Sequence, residues 1–397
     1  MVDIKKEKIK EILNKRVAEV LPKKKDLSGL LEKRKIRLYL GIDPTGRNLH
    51  LGHTVPLKKL QEFADLGHEA ILLIGTGTVL TGDPSQRKEA RKRITEKEIK
   101  DNMKTWKKQA SKVLDFSKVK IKYNGEWLLK LKLEDIVNIA SNISAVKLFQ
   151  REMFQRRIKE GSTVWAHETL YPLLQGYDSV AMDVDLEIGG TDQVFNMIIG
   201  RELQRKINNK EKFIITVPMA LGTDGNPMSK TSGNCIWLSD KPKDMFGKVM
   251  SIPDKLIISY FELFTDVSLK ETKKHEKELK EKRINPSELK RKLAFEVVKS
   301  YYSEKEAKES KEEFDRIFKE KKAPSKISSI KIKEKNISFL SLLVKTNLAP
   351  SKKEAKRLIL QGGVKINGEV KKDWKENIEI KKGKIIQVGK RKFIKLS

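Results

Sequence analysis

Residues 36–57 read IRLYLGIDPTGRNLHLGHTVPL. IRLYLGID is a short apolar run of strand formers, PTGRN breaks it, and a helical pattern begins near His50. Three further segments have the same form: HEAILLIGTGT at 68–78, DVDLEIGGTDQ at 183–193 and FIITVPMAL at 213–221, each leading into a glycine-containing loop. Strand, glycine loop and helix in repetition predict an α/β fold, a Rossmann-like parallel sheet with helices on both faces. Ligands on such sheets bind beyond the C-terminal strand ends, where these loops lie.

The rest of the chain changes character twice. From Ile252 to about Glu320, Lys and Glu alternate with apolar residues at three-and-four spacing, which predicts an α-helical domain. KEKKAPSKISS then reads as a linker. The remainder carries two short helices, a strand VKI and an Asn367-Gly368 turn, a small α+β domain. The expected boundaries are 1–250 for the Rossmann-like domain, 251–322 for the helical one, 323–334 for the linker and 335–397 for the last. At the other end, Ile9, Ile12, Leu13, Val17 and Val20 predict one amphipathic helix over the first twenty residues, rather than a signal or transit peptide.

Charge points to a partner. The 397 residues carry a formal charge of +31. Residues 331–397 alone hold 19 Lys and Arg against 6 Asp and Glu. Such a basic tail suits a polyanion, nucleic acid first and an anionic membrane surface second, although a lysine-rich solvated face would look the same. Cys235 is the single cysteine, so neither an internal disulfide nor a multi-cysteine metal site can form, and a reducing compartment fits. No run approaches the roughly 20 apolar residues of a bilayer span.

His50 and His53, three apart around Gly52, admit three readings. Zinc would want further ligands, and His68, His167 and His275 stand in no matching pattern, so no metal site is expected. Packing and capping alone is the second reading. The third follows from their place in the first turn of a helix, where free N–H groups and the dipole favour a phosphate chain, and where Gly52 lets a nucleotide approach the backbone.

HLGH resembles the HIGH signature of class I aminoacyl-tRNA synthetases, although small adenylyltransferases carry a similar HxGH. GNPMSKTSGN, 225–234, resembles the KMSKS loop of the same class, with Pro227 where that motif's first lysine would stand. YPLLQGYD, 171–178, places Tyr171, Gln175 and Asp178 on one helix face, and it is similar to the amino-acid-binding helix of tyrosyl-tRNA synthetases. LYLGIDPTGRNLHLGH, GTGTVLTGDPS, IGGTDQVFN and NPSELKRKLAFEVV extend the likeness over nearly the whole chain, and the tail resembles the S-four RNA-binding domain of the bacterial members. Tryptophanyl enzymes are the nearest alternative. A non-catalytic RNA-binding protein on the same scaffold is a further one.

The resemblance implies a ligase that activates L-tyrosine with ATP and transfers it to tRNA(Tyr), with Mg²⁺ on the phosphates, as a cytoplasmic homodimer with no membrane partner. It assigns Tyr39 and Asp178 to the phenolic hydroxyl, Asp83, Tyr171 and Gln175 to the ammonium group, and Gln193 to the carboxylate side. Gly41, Asp43 and Thr45 would lie along the adenylate, and Gly190 and Asp192 at the adenosine. His50, Gly52, His53, Lys230 and Thr231 would surround the phosphates, His50, His53, Lys230 and Thr231 acting catalytically. Arg87 and Arg91 are candidates for pyrophosphate contact in place of the missing lysine. Lys352, Lys353, Lys356, Arg357 and Lys365 would meet RNA. A helical segment at about 125–165 would build the dimer interface.

Overall fold

The computed structural model describes residues 4–83, 95–230, 232–320, 327–389 and 392–397. Arg87, Arg91 and Thr231 lie outside the described residues. The chain divides into two compact units, Met1–Glu304 and Lys305–Ser397.

The first unit is built on a six-stranded sheet of β1 (Glu19–Leu21), β2 (Arg37–Ile42), β3 (Glu69–Ile74), β4 (Val119–Tyr123), β5 (Leu186–Gly190) and β6 (Phe213–Val217). The order is β1-β6-β5-β2-β3-β4, with β2 to β6 parallel and β1 antiparallel on β6. Four strands correspond to the four apolar runs. β4, with alternating VKIKY, and the short β1 do not stand out as such runs.

The N-terminal helix ends earlier than its apolar spacing predicts. It spans Ile4–Ile12, Arg16 turns the chain at φ 58°, and Val20 sits on β1. The Arg16 guanidinium donates to the Leu263 carbonyl at 2.9 Å and pairs with Glu62, so tertiary bonds override the helical pattern.

From β2 the chain moves to β3 on one side; from β5 it moves to β6 on the other. Right-handed crossovers then put the intervening helices on opposite faces and leave a switch point between β2 and β5. The helix Leu51–Asp65 packs on β2, β3 and β5, while Val194–Asn208 packs on β5, β6 and the helix Ala166–Met182. Four short helices, Gly125–Leu128, Leu133–Ala140, Ala145–Phe149 and Glu152–Lys159, occupy the segment between β4 and Ala166. Helices Pro242–Met250, Ile257–Phe264, Leu269–Lys280 and Pro286–Tyr301 belong to the same unit. Among the described residues, no helix is long and apolar enough to cross a membrane.

The second unit holds two small sheets. β7 (Ser329–Ile330), β9 (Val364–Ile366), β10 (Glu369–Val370), β12 (Ile385–Val388) and β13 (Lys392–Leu396) form one in the order β10-β9-β12-β13-β7, while β8 (Asn336–Ser338) pairs with β11 (Asn377–Glu379). Asn367 at φ 51° and Gly368 at φ 90° make the β9–β10 hairpin, the conformation that an Asn-Gly pair favours. Helices Phe339–Lys345 and Lys352–Leu360 share with these strands a core that includes Phe339, Leu342, Leu343, Ile359, Val364, Ile386 and Leu396.

Candidate active site

A cavity of about 330 Å³ opens at the switch point. β2 delivers Tyr39, Gly41 and, just past its end, Asp43 and Thr45; β5 delivers Glu187 and Gly190, followed by Asp192 and Gln193. His50, Gly52, His53, Asp83, Tyr171, Gln175 and Asp178 complete the set of predicted site residues that line it.

The helix Ala166–Met182 aims Tyr171, Gln175 and Asp178 at one wall. Asp178 is fully buried and accepts from Asn124 Nδ2 at 3.0 Å and Trp127 Nε1 at 2.9 Å. Burial raises its affinity for a proton well above that of an ordinary carboxyl; the two N–H donors oppose this, and the charges of Glu187 and Asp43 add to it. Each oxygen accepts one N–H, which favours the ionised, accepting form, and among the described residues no cation hydrogen-bonds it. Tyr39 is buried beside it in an apolar cluster with Ile71, Leu73, Met182 and Val184, and its hydroxyl bonds Ser179 Oγ at 3.0 Å. Burial, with the carboxylates of Glu187 and Asp178, holds the Tyr39 phenol well above its ordinary range, so it keeps its proton and can donate.

A second polar chain links Asp83 to Glu187. Gln193 Nε2 donates to Asp83 Oδ2 at 2.9 Å and to Asp192 Oδ2 at 3.0 Å, and its carbonyl accepts from Asn196 Nδ2 at 2.9 Å. Asn196 Nδ2 also donates to Gln175 Oε1 at 2.9 Å, and Gln175 Nε2 donates to Glu187 Oε1 at 3.2 Å. Arg151 pairs with Asp83 at 3.6 Å. Tyr171, assigned by its spacing to the same wall, donates its hydroxyl to Asp43 Oδ2 at 3.0 Å, and Thr78 Oγ1 donates to Asp43 Oδ1 at 2.8 Å. Acceptors crowd this side, an environment that suits a cationic amine.

At the cavity mouth, His50 caps the helix Leu51–Asp65. Its Nδ1 accepts the Gly52 N–H at 3.2 Å, and His53 Nδ1 accepts the His50 N–H at 3.1 Å, a reciprocal capping box made of two imidazoles. Each Nδ1 is therefore an acceptor and unprotonated, so the neutral rings carry their proton on Nε2. Burial lowers the His50 pKa to about 2, helped by the charges of His53 and Lys230, and lowers that of His53 to about 4. Both rings are neutral donors at pH 7. The room left by Gly52 is taken by the His50 ring itself, since a Cβ there would stand 2.9 Å from its Nδ1.

Lys230 reaches the same place from the far loop. A Cβ on Gly46 would stand 2.1 Å from Lys230 Nζ, so the missing side chain at 46 admits the ammonium. The loop is held by the buried Asn234, whose amide donates to Asp224 Oδ1 at 2.8 Å and the Pro227 carbonyl at 3.1 Å, and whose carbonyl accepts from Ser229 N at 2.9 Å and Ser232 Oγ at 2.8 Å. Pro227 faces Leu221 in an antiparallel bridge whose flanking bonds come from Met228 N to Ala220 O at 3.2 Å and Gly222 N to Asn226 O at 2.6 Å. An N–H at 227 has no place in that pattern, which is why proline is tolerated there.

The chain matches the family described as tRNA synthetases class I (W and Y) over residues 31–319. Residues 319–396 match the tyrosine–tRNA ligase SYY-like C-terminal domain. The chain belongs to the tyrosine–tRNA ligase family of class I synthetases. It is 42% identical over 389 residues to the tyrosine–tRNA ligase of Thermotoga maritima, covering 98% of this chain and 96% of that one. It is 39% identical over 386 residues to that of Aquifex aeolicus, covering 97% of each. The fold is shared with the tyrosyl-tRNA synthetase of Archaeoglobus fulgidus, solved with L-tyrosine, at TM-score 0.62 and 22% identity over 77% of this chain and 99% of that one.

Sequence reasoning missed Asn124, Trp127, Ser179, Glu187 and Lys212. Asn124 and Trp127 follow β4 in NGEW, another strand followed by a glycine-containing helix start, and recognising β4 would have placed both at the strand ends. Ser179 and Glu187 adjoin motifs already singled out, one residue after Asp178 and one before Ile188. In the second unit, Lys352, Lys353 and Lys356 are exposed on one helix and Lys365 lies half-buried on β9. Arg357, by contrast, is engaged by Glu354 at 2.5 Å and Gln361 at 3.1 Å. Lys356 lies 4.0 Å from the centre of the Trp374 ring.

Proposed function

We propose that this cavity binds tyrosine with its phenol between Tyr39 and Asp178 and its ammonium group among Asp83, Gln175 and Tyr171, and that ATP lies across the mouth. The observation that carries the reading is Asp178: a fully buried carboxylate bonded, among the described residues, only to neutral N–H donors, next to a phenol that keeps its proton. A substrate hydroxyl can donate to the first and accept from the second.

Two steps follow. The tyrosine carboxylate attacks the α-phosphorus of ATP in line, forming tyrosyl-adenylate and releasing pyrophosphate; the terminal ribose hydroxyl of tRNA(Tyr) then attacks the activated carbonyl. A carboxylate is already nucleophilic at pH 7, so the first step needs positioning and charge stabilisation rather than a base. The Nε2–H groups of His50 and His53 and the Lys230 ammonium supply fixed donors where phosphate charge grows. Thr231, Arg87 and Arg91 would add to that set. Gly41, Asp43 and Thr45 would run along the adenylate, and Gly190 and Asp192 would meet the adenosine.

Magnesium would arrive with ATP, held by its phosphates, and would offset their negative charge. Among the described residues, no group of three or more His, Cys, Asp or Glu side chains could hold a metal ion.

Leu133, Val137, Val146 and Trp165 are more than half exposed although apolar, and all fall within the segment 125–165. Such a surface suits burial against a second copy of the chain, hence a homodimer. The cytoplasm, which holds ATP and tRNA, suits this reaction. Incubation of the protein with ATP, tRNA and labelled tyrosine should give alkali-labile tyrosyl-tRNA; charging with tryptophan instead would overturn the reading.

A further inference from the structure

Lys212, next to the start of β6, is completely buried and takes no part in the chemistry above. Its Nζ donates to Glu187 and, at 2.9 Å, to Ser179 Oγ. From these two partners the bonds run on to groups assigned to different parts of tyrosine. Glu187 accepts Gln175 Nε2 at 3.2 Å, at the side assigned to the substrate ammonium. Ser179 Oγ bonds the Tyr39 hydroxyl at 3.0 Å, at the side assigned to the phenol. Tyr39 and Glu187 are themselves register partners on β2 and β5.

Room for the ammonium is made where two helices cross. A Cβ on Gly200 would stand 2.6 Å from Lys212 Nζ and 3.2 Å from Ser179 Oγ. An ammonium ion without a partner in such a place would be very costly, and Glu187 offsets that cost.

We propose that Lys212 is a positioning residue for the choice of tyrosine, one that touches no substrate and holds the phenol and ammonium ends of the pocket in register. The inference rests on the reading that Tyr39, Asp178 and Gln175 face tyrosine. An ammonium only donates, so Ser179 Oγ accepts from Lys212 and is polarised to donate its own proton to the Tyr39 oxygen. The Tyr39 O–H then has Glu187, the other partner of Lys212, as its acceptor, and turns to the phenolic oxygen of tyrosine, whose own proton goes to Asp178. On the other branch, Lys212 fixes Glu187 so that Gln175 presents its carbonyl oxygen rather than its amide.

The test is steady-state ATP–pyrophosphate exchange with Lys212→Met and with the charge-balanced Lys212→Met/Glu187→Gln, using tyrosine and phenylalanine. The expected result is a rise of about tenfold in KM for tyrosine and a fall of about tenfold in preference over phenylalanine, with KM for ATP and kcat within about threefold of the parent. A purely structural lysine would not produce that split. Tyrosine KM and preference both within about twofold of the parent would overturn the proposal, and if the single variant does not fold, the double variant decides. Tyr39→Phe and Asp178→Asn are run alongside. If they shift tyrosine KM and the Lys212 variants do not, the inference on Lys212 fails alone; if none shifts it, the pocket assignment fails too.

Discussion

The backbone N–H of His50 donates to Nδ1 of His53 at 3.1 Å, and this bond decides which nitrogen of His53 faces the cavity mouth as a donor. His50 is fixed likewise by Gly52. The two rings therefore cap a helix and present N–H groups at the same time. His50→Ala should lower the maximal rate of adenylate formation by about 10²-fold, with a smaller effect on ATP affinity, as expected for donors that act on developing charge. His50→Asn keeps a capping side chain and should recover most of the roughly 1 kcal/mol of helix stability lost in alanine, yet not the rate. Stopped-flow measurement of adenylate formation, paired with thermal unfolding, checks both. Recovery of the rate by asparagine would mean that the ring matters only as a cap.

The lowered histidine pKa values give a direction to the pH dependence of stability. Unfolded histidine takes up a proton near pH 6.5, whereas the folded rings do so only near 2 and 4. Below about 6.5 the unfolded chain binds more protons, so this contribution to stability is full above that pH and is lost as pH falls toward 4. Replacing both histidines with asparagine should flatten the pH 6.5-to-4 portion of a denaturant-midpoint profile; an unchanged slope would contradict the assignment.

Asp178→Asn should lower kcat/KM for tyrosine by about 10- to 100-fold, since it replaces the proposed acceptor for the substrate phenol with an amide whose N–H₂ must find partners of its own. ATP affinity should not change. Exchange kinetics at saturating ATP separate the two, and an equal loss for tyrosine and ATP would point to general disruption.

Much of this was readable in the sequence because the informative residues lie where local chemistry dictates conformation. Apolar runs ending in glycine located β2, β3, β5 and β6, and the three-and-four spacing of Tyr171, Gln175 and Asp178 put them on one helix face. The Asn367-Gly368 turn was equally local. What escaped was set by tertiary bonds. The end of the first helix depends on the Arg16 guanidinium meeting a carbonyl 247 positions away. β4 alternates lysine with apolar residues at a sheet edge and resembles many exposed segments. Lys212 and Glu187 would each be read as ordinary surface charges until β5 and β6 are placed side by side.

The basic helix of the second unit should act on RNA alone. Lys352→Glu/Lys353→Glu/Lys356→Glu in the full chain should weaken tRNA binding and reduce the slope of log affinity against log salt by about 2 to 3, while tyrosine-dependent exchange stays unchanged. Arg357→Ala should do less, because Glu354 already engages that guanidinium. Filter binding at several salt concentrations reads both; a slope equal to that of the parent protein would remove this helix from the RNA interface.

The central claim is that the cavity between β2 and β5 selects tyrosine for activation through Tyr39 and Asp178. ATP–pyrophosphate exchange, measured without tRNA for each of the twenty amino acids, tests it most directly. Exchange with tyrosine alone, abolished by Lys230→Ala, is the predicted result. Exchange that favours tryptophan, or none with any amino acid in the folded protein, would contradict the account.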